Sequence, residues 1–182
     1  MPHTFERAPT GRAKCRACGA AIAAGDWRFG ERLPNPYADG ENVEMTHWFH
    51  LPCAAFKRPE SFVAALDAPD QVPPPFDGRE ILEQEARLGV AHPRLARVDA
   101  VGRAPSARAT CRACKEKIEK DAWRIGLVWY EDGRFSPSGY VHLACAPAYL
   151  ETTDVMTRLK HFSTGLSDAD FAEIASGLSG HA

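Results

Sequence analysis

No stretch of this 182-residue sequence is apolar for long enough to span a bilayer. Its opening, Met1-Pro2-His3-Thr4, lacks the basic-then-apolar layout of a signal peptide. These two absences point away from membrane-spanning and exported classes. They favour a reducing compartment, where cysteines bind metal rather than pair. Net charge is also scarce, only −2, which taken over the whole chain argues against a nucleic-acid partner. Cysteines are few and none is left over. All six, with two of the seven histidines, fall into one pattern that occurs twice.

The first copy is Cys15-x2-Cys18 and, after 31 residues, His50-x2-Cys53. The second is Cys111-x2-Cys114 and, after 27 residues, His142-x2-Cys145. A tetrahedral zinc ion takes four ligands of this kind, and ligands two residues apart reach one ion from a tight turn. A lone CxxC would leave a redox reading open; two complete Cys-Cys-His-Cys sets predict two structural zinc ions per chain. Four protein ligands leave no position for water, so neither ion is expected to be catalytic. His47 lies close by, but the spacing favours His50. Halves below about 90 residues draw thin stability from a hydrophobic core alone. Each zinc site adds folding free energy on the order of 10 kcal/mol.

The distribution of charge reverses the impression left by its sum. Residues 1–32 carry six Lys/Arg against three Asp/Glu, residues 103–124 seven against three, and the remainder nine against eighteen. Basic charge thus gathers around both CxxC turns, and local potential governs contact with phosphates. One such cluster is an ordinary solvated face. Two at equivalent positions favour a shared partner.

The halves also align beyond the ligands. Ala8-Pro9-Thr10-Gly11-Arg12-Ala13-Lys14 precedes Cys15 as Ala104-Pro105-Ser106-Ala107-Arg108-Ala109-Thr110 precedes Cys111, and Asp26-Trp27-Arg28 answers Ala122-Trp123-Arg124. Arg58, Phe62 and Leu66 recur as Arg158, Phe162 and Leu166. Alternation predicts a strand with Trp27, Phe29 and Leu33 on one face and Arg28 and Arg32 on the other, and a second with Trp123, Ile125 and Leu127 opposite Arg124. Val43 to Phe49 and Gly139 to His142 are the expected return strands that deliver each histidine. Turn-rich loops are expected over Pro34–Gly40 and Glu131–Pro137, and a semi-rigid surface loop over Ala68–Pro75. Each half should end in an amphipathic helix. The first is capped by Asp77 and Glu80 and buries a stripe from Ile81 and Leu82 to Leu88. The second is capped by Ser167 and Asp170 and buries Phe171, Ile174 and Leu178. Trp27 and Trp123 read as core rather than as stacking platforms. The expected division is 1–89 for the first module, 90–97 for a link and 98–182 for the second.

Several segments together resemble the PARP-type zinc finger. They are Gly11-Arg12-Ala13-x-Cys15-x2-Cys18, His47-Trp48-Phe49-His50-x2-Cys53, Cys111-Arg112-Ala113-Cys114-Lys115-Glu116-Lys117-Ile118-Glu119-Lys120 with Arg124, and Leu159-Lys160-His161-Phe162-Ser163. One departure is Tyr140-Val141-His142, where that family usually has Trp-Tyr-His. The resemblance implies small α+β zinc-stapled modules, two in tandem, each a small antiparallel sheet with C-terminal helices. It implies recognition of double-stranded DNA ends, nicks or gaps by structure rather than sequence. It also implies phosphate contacts from Arg12 and Arg28 in the first finger and Arg108 and Arg124 in the second. Stacking on an exposed terminal base pair falls, by the same resemblance, to Tyr37 and Met45, and to Phe135 and Pro137. Tyr37 could equally fill a turn beside Pro36.

The expected function is therefore non-enzymatic occupancy of DNA breaks, shielding ends or recruiting repair factors. No membrane is involved, and the further partners admitted are a repair enzyme and a second copy at the same break. The expected location is the nucleoid within a cytoplasm, or the nucleus of a eukaryote. Two rivals come from other classes. One is a zinc-stabilised protein-interaction adaptor working through its acidic helices and the Val72-Pro73-Pro74-Pro75 loop. The other is a thiol redox or zinc-sensing protein.

Overall fold

The computed structural model describes residues 3–35, 43–68 and 75–180. The chain divides into two units, Met1–Ala91 and His92–Ala182. Among the described residues each unit is a three-stranded antiparallel sheet followed by three α-helices.

In the first unit, β1 (Thr4–Arg7), β2 (Trp27–Pro34) and β3 (Glu44–His50) pair in chain order. Phe29 and Phe49 face each other across β2 and β3, and both are fully buried. Phe5 of β1 meets Phe29 at 5.4 Å and Phe62 edge-on at 5.2 Å between ring centres. Two helices pack on this sheet, α1 (Leu51–Lys57) and α2 (Pro59–Leu66), and α3 (Arg79–Ala91) lies against both. Alternation also carries Glu31 inward beside Phe29, where it is completely buried. Arg58, between α1 and α2, supplies the countercharge through Nε at 2.8 and 2.9 Å, and the Ser61 hydroxyl donates at 2.6 Å. A buried carboxylate without such partners would cost several kcal/mol.

The last helix of this unit departs from its sequence pattern. It begins at Arg79, directly after Gly78, whose φ of +71° is left-handed. Leu82 N–H donates to Gly78 O, so Asp77 and Glu80 do not stand at the N-cap and third positions of a capping box. The buried line is Leu82, Ala86 and Gly89, whereas Ile81 is 58% exposed. The reason is packing. Small Ala86 and Gly89 admit the helices α1 and α2, which α3 lies against, and that choice of face turns Ile81 to solvent.

The second unit opens with the 3-10 helix Pro93–Arg97, followed by β4 (Val98–Arg103), β5 (Trp123–Glu131) and β6 (Arg134–His142). Residues 90–97, read as a link, fall in the end of α3 and in this 3-10 helix, whose Leu95 is fully buried. Most of the expected 131–137 loop is strand. Only Asp132 and Gly133 turn the chain, with φ of 50° and 75°, the type I′ geometry that suits the twist of a hairpin. The return strand is correspondingly longer than Gly139–His142, and its register against β5 shifts between the pairs Leu127/Gly139 and Val128/Pro137. Helices α4 (Ala146–Leu150), α5 (Met156–Phe162) and α6 (Asp168–Ser179) complete the unit. The capping box of Ser167 and Asp170 is present, with Ile174 and Leu178 buried and Phe171 half-buried. Among the described residues, no helix is long and apolar enough to cross a membrane.

Candidate metal centres and nucleic-acid interface

Each CxxC is held in a turn that recurs bond for bond. Cys15 N–H donates to Ala20 O, Gly19 to Cys15 O and Ile22 to Ala13 O, at 2.8–2.9 Å. In the second unit Cys111 donates to Glu116 O, Lys115 to Cys111 O and Ile118 to Ala109 O, at 2.8–3.1 Å. Ile22 and Ile118 seat each turn by complete burial. The return strand then supplies the third ligand at its last residue, His50 or His142. The start of the next helix supplies the fourth, Cys53 within α1 and Cys145 just before α4.

All four ligand atoms of each set lie within 4.8 Å of one another. His50 Nδ1 is 3.4 Å from Cys18 Sγ while its Nε2 faces Ala21 O at 3.2 Å. His142 repeats this, with Nδ1 3.5 Å from Cys114 Sγ and Nε2 3.2 Å from Lys117 O. A proton on Nε2, donated to the carbonyl, leaves the Nδ1 lone pair for metal, which is how outer-shell contacts set a ligand tautomer. The thiols are tuned unequally. A hydrogen bond from Cys53 and nearby backbone amides outweigh burial and bring Cys15 down to about 4. Bonding to Cys15, together with burial, pushes Cys53 strongly up. Burial opposes ionisation of Cys111, but the amides of His142, Cys114 and Ala113 bring it to about 6. Burial, with bonding to Cys114, raises Cys145 to about 12. Three thiols crowded around one point resist carrying three negative charges unless a cation sits among them. The donor set fits zinc, and the protein carries two structural zinc ions, at Cys15/Cys18/His50/Cys53 and Cys111/Cys114/His142/Cys145.

Basic side chains surround the turns. A hollow of about 490 Å³ is lined by Arg12, Lys14, Arg16 and Trp48 among others, and among the described residues no carboxylate lines it. Its counterpart, about 330 Å³, is lined by Arg112, Lys115 and Tyr140. Arg12 and Arg108 are exposed. Arg28 is not: it is 7% exposed, stacks 3.5 Å above the Trp48 ring and is paired with Glu6 of β1. Gly30 leaves the room this stack requires, since a Cβ there would lie 2.7 Å from the Trp48 ring. Arg124 stacks 3.6 Å above Tyr140, so the family's Trp is replaced by another aromatic that keeps the guanidinium in place. Trp27 and Trp123 are half-buried, each covered by an arginine, Arg7 at 4.7 Å and Arg103 at 4.2 Å.

The stacking candidates are less gathered. Tyr37 lies outside the described residues, as do residues 69–74 of the proline-rich stretch and residues 36–40 of the first loop. Met45 is half-buried within β3, opposite Leu33. Phe135 packs on Tyr130 at 4.6 Å, and Pro137 is exposed opposite Val128. Lys14, Arg16, Arg112 and Lys115, which line these hollows, were counted in the basic clusters of the sequence but not singled out as candidate contacts. Their signal was position: each lies within or beside a CxxC turn that must project its side chains outward.

The family described as "Poly(ADP-ribose) polymerase and DNA-Ligase Zn-finger region" matches residues 6–92. The chain carries a PARP-type zinc finger over these residues. Its second unit repeats the finger's ligand set and its knuckle bonding. Among curated relatives, the chain is 32% identical over 143 residues to poly [ADP-ribose] polymerase of Drosophila melanogaster, covering 72% of this chain and 14% of that protein. It is 28% identical over 137 residues to poly [ADP-ribose] polymerase 1 of Gallus gallus, covering 68% and 13%. It is 23% identical over 189 residues to the polynucleotide 3'-phosphatase ZDP of Arabidopsis thaliana, covering 90% and 26%. These matches thus span about an eighth to a quarter of each relative's length.

Proposed function

We propose that this finger pair binds DNA ends and strand breaks by structure and acts through occupancy, shielding the end or recruiting a repair enzyme. The observation that carries this reading is the hollow of Arg12, Lys14 and Arg16 beside Trp48, lined by no carboxylate among the described residues, together with its counterpart around Arg112, Lys115 and Tyr140. Guanidinium and ammonium groups fixed beside a rigid turn neutralise phosphates without reading bases. Arg108 and Arg124 extend that grip in the second finger, whereas the Arg28 charge is already offset by Glu6.

Selectivity for breaks requires something that intact duplex lacks, and a terminal base pair offers a bare aromatic face. In this reading Met45 and Tyr37 cover it in the first finger, and Phe135 and Pro137 in the second. Each stacked base contributes about 1–3 kcal/mol by analogy with single strands. Catalysis is assigned to neither zinc site, because four protein ligands fill the coordination shell. The site of action is chromosomal DNA, in a nucleoid or a nucleus.

The experiment is binding to blunt, nicked and covalently closed circular duplexes of equal length, side by side. Linear and nicked DNA should bind more tightly than closed circles, and Met45→Ala with Tyr37→Ala should erase much of that difference while leaving circle binding nearly unchanged. Equal binding of closed circular and linear DNA would reduce the protein to a general duplex binder. No binding to any of them would favour the protein-interaction adaptor.

A further inference from the structure

A second basic hollow of about 410 Å³ lies on the second finger beside the second zinc turn, lined by Arg94, Arg97, Tyr149, Ala148 and the two inner residues of the turn, Arg112 and Ala113. Its arginines are held mostly by neutral acceptors. Arg97 donates from Nη1 to the Tyr149 hydroxyl at 2.6 Å and from Nη2 to the Ser138 hydroxyl at 3.2 Å. Arg112 Nε donates to Ser138 O at 2.8 Å, and Arg94 Nη1 to Tyr149 O at 2.9 Å. Among the described residues Arg94 also has a carboxylate partner, Glu151, exposed and 3.6 Å away. Neutral partners orient a guanidinium without cancelling its charge, so the hollow is a preorganised anion site.

Beside it stands Trp129, 52% exposed near the end of β5, with the Arg97 guanidinium 5.1 Å from its ring centre. The first finger has Leu33 at the corresponding place, six residues after the shared Trp. An exposed indole next to guanidiniums suits a nucleobase, whose face stacks while its phosphates are neutralised. Arg112 also lines the hollow at the second zinc turn, so the two basic surfaces are continuous.

We infer that Arg94, Arg97 and Trp129 form a single-strand site, which receives the unpaired overhang or flap at a break while the zinc turns hold the duplex. This rests on the DNA-binding reading above and adds a second substrate class to it. Neighbouring bases inside a paired duplex are already stacked on each other, and the terminal pair of a blunt end is assigned above to Met45, Tyr37, Phe135 and Pro137, so the base left for Trp129 is one of an unpaired strand.

The test uses the zinc-loaded full chain and a fluorescent oligothymidylate of about fifteen nucleotides, a length within the usual single-strand site range. Trp129→Leu should weaken oligothymidylate binding roughly five- to 150-fold, the range for one stacked base, and leave affinity for a blunt duplex unchanged. Arg94→Ala, on an exposed side chain, should flatten the salt dependence for the single strand by about 0.7. Three results would overturn the inference: no oligothymidylate binding by the parent, equal binding by Trp129→Leu, or inorganic polyphosphate competing as well as the oligonucleotide at equal charge. Loss of end preference on duplexes with oligothymidylate binding intact would instead overturn the end-binding reading and leave this site standing.

Discussion

Glu6 and Gly102 occupy the same register position in their fingers, opposite Arg28 and Arg124. One residue therefore makes the two stacked arginines electrostatically unequal. Arg28 enters any complex with a carboxylate already bound, while Arg124 has none opposite it. Replacing Arg124 by Met should flatten the slope of log affinity for duplex DNA against log salt by about 0.9, the value of one phosphate contact. The Arg28→Met slope should change far less, and Glu6→Gln should tighten binding by releasing Arg28. Methionine keeps the apolar stem over the aromatic ring, which separates lost charge from lost packing. Equal flattening by the two arginine variants would show that Glu6 does not compete with DNA.

The CxxC turn is the element on which both sites depend, and its geometry demands a left-handed residue four places after the first cysteine. The first finger places Gly19 there, φ 74°, and the second places Lys115, φ 66°. A side chain in that conformation carries strain that glycine avoids. Lys115→Gly should raise the stability of the second finger by about 0.5–1 kcal/mol at saturating zinc, and Gly19→Ala should lower that of the first by a similar amount. Thermal melting at fixed zinc checks both. Unchanged melting in the two variants would mean that the ion alone, not the turn, sets the stability of the element. The same Lys115→Gly change removes a basic group from the hollow, so any gain in stability should come with a loss in DNA affinity.

At the scale of the molecule, two units each close around their own ligand set, and each ion contributes folding energy to its own unit. Metal analysis should find two zinc ions in the parent chain and one in Cys53→Ala. Limited proteolysis of that variant should digest the first unit and leave a resistant fragment beginning near His92. Retention of two ions, or digestion of the whole chain at once, would contradict independent metal-stabilised units. Duplex binding by the variant should persist in weakened form through Arg108 and Arg124, because the second set of ligands is untouched.

The ligand set, the duplication and the α+β module were legible in the sequence because zinc chemistry is written in residue type and short spacing. Cys15-x2-Cys18 and His50-x2-Cys53 name their own geometry, and no long-range information is needed to see that four soft donors want one ion. The capping box at Ser167 and Asp170 was legible for the same local reason, while the pair at Asp77 and Glu80 misled. Local pattern could not say that Gly78 starts the helix, or that small Ala86 and Gly89 would set the packed face and leave Ile81 in water. Charge was the other blind spot. That Glu31 is buried with Arg58, that Glu6 neutralises Arg28 and that nothing comparable faces Arg124 all follow from strand register and helix placement. Arg94, Arg97 and Arg112 likewise meet only when β5, β6 and the segments flanking them pack. Coordination is a property of neighbouring residues, but neutralisation belongs to residues far apart in the chain, and only the tertiary structure decides which charges remain free.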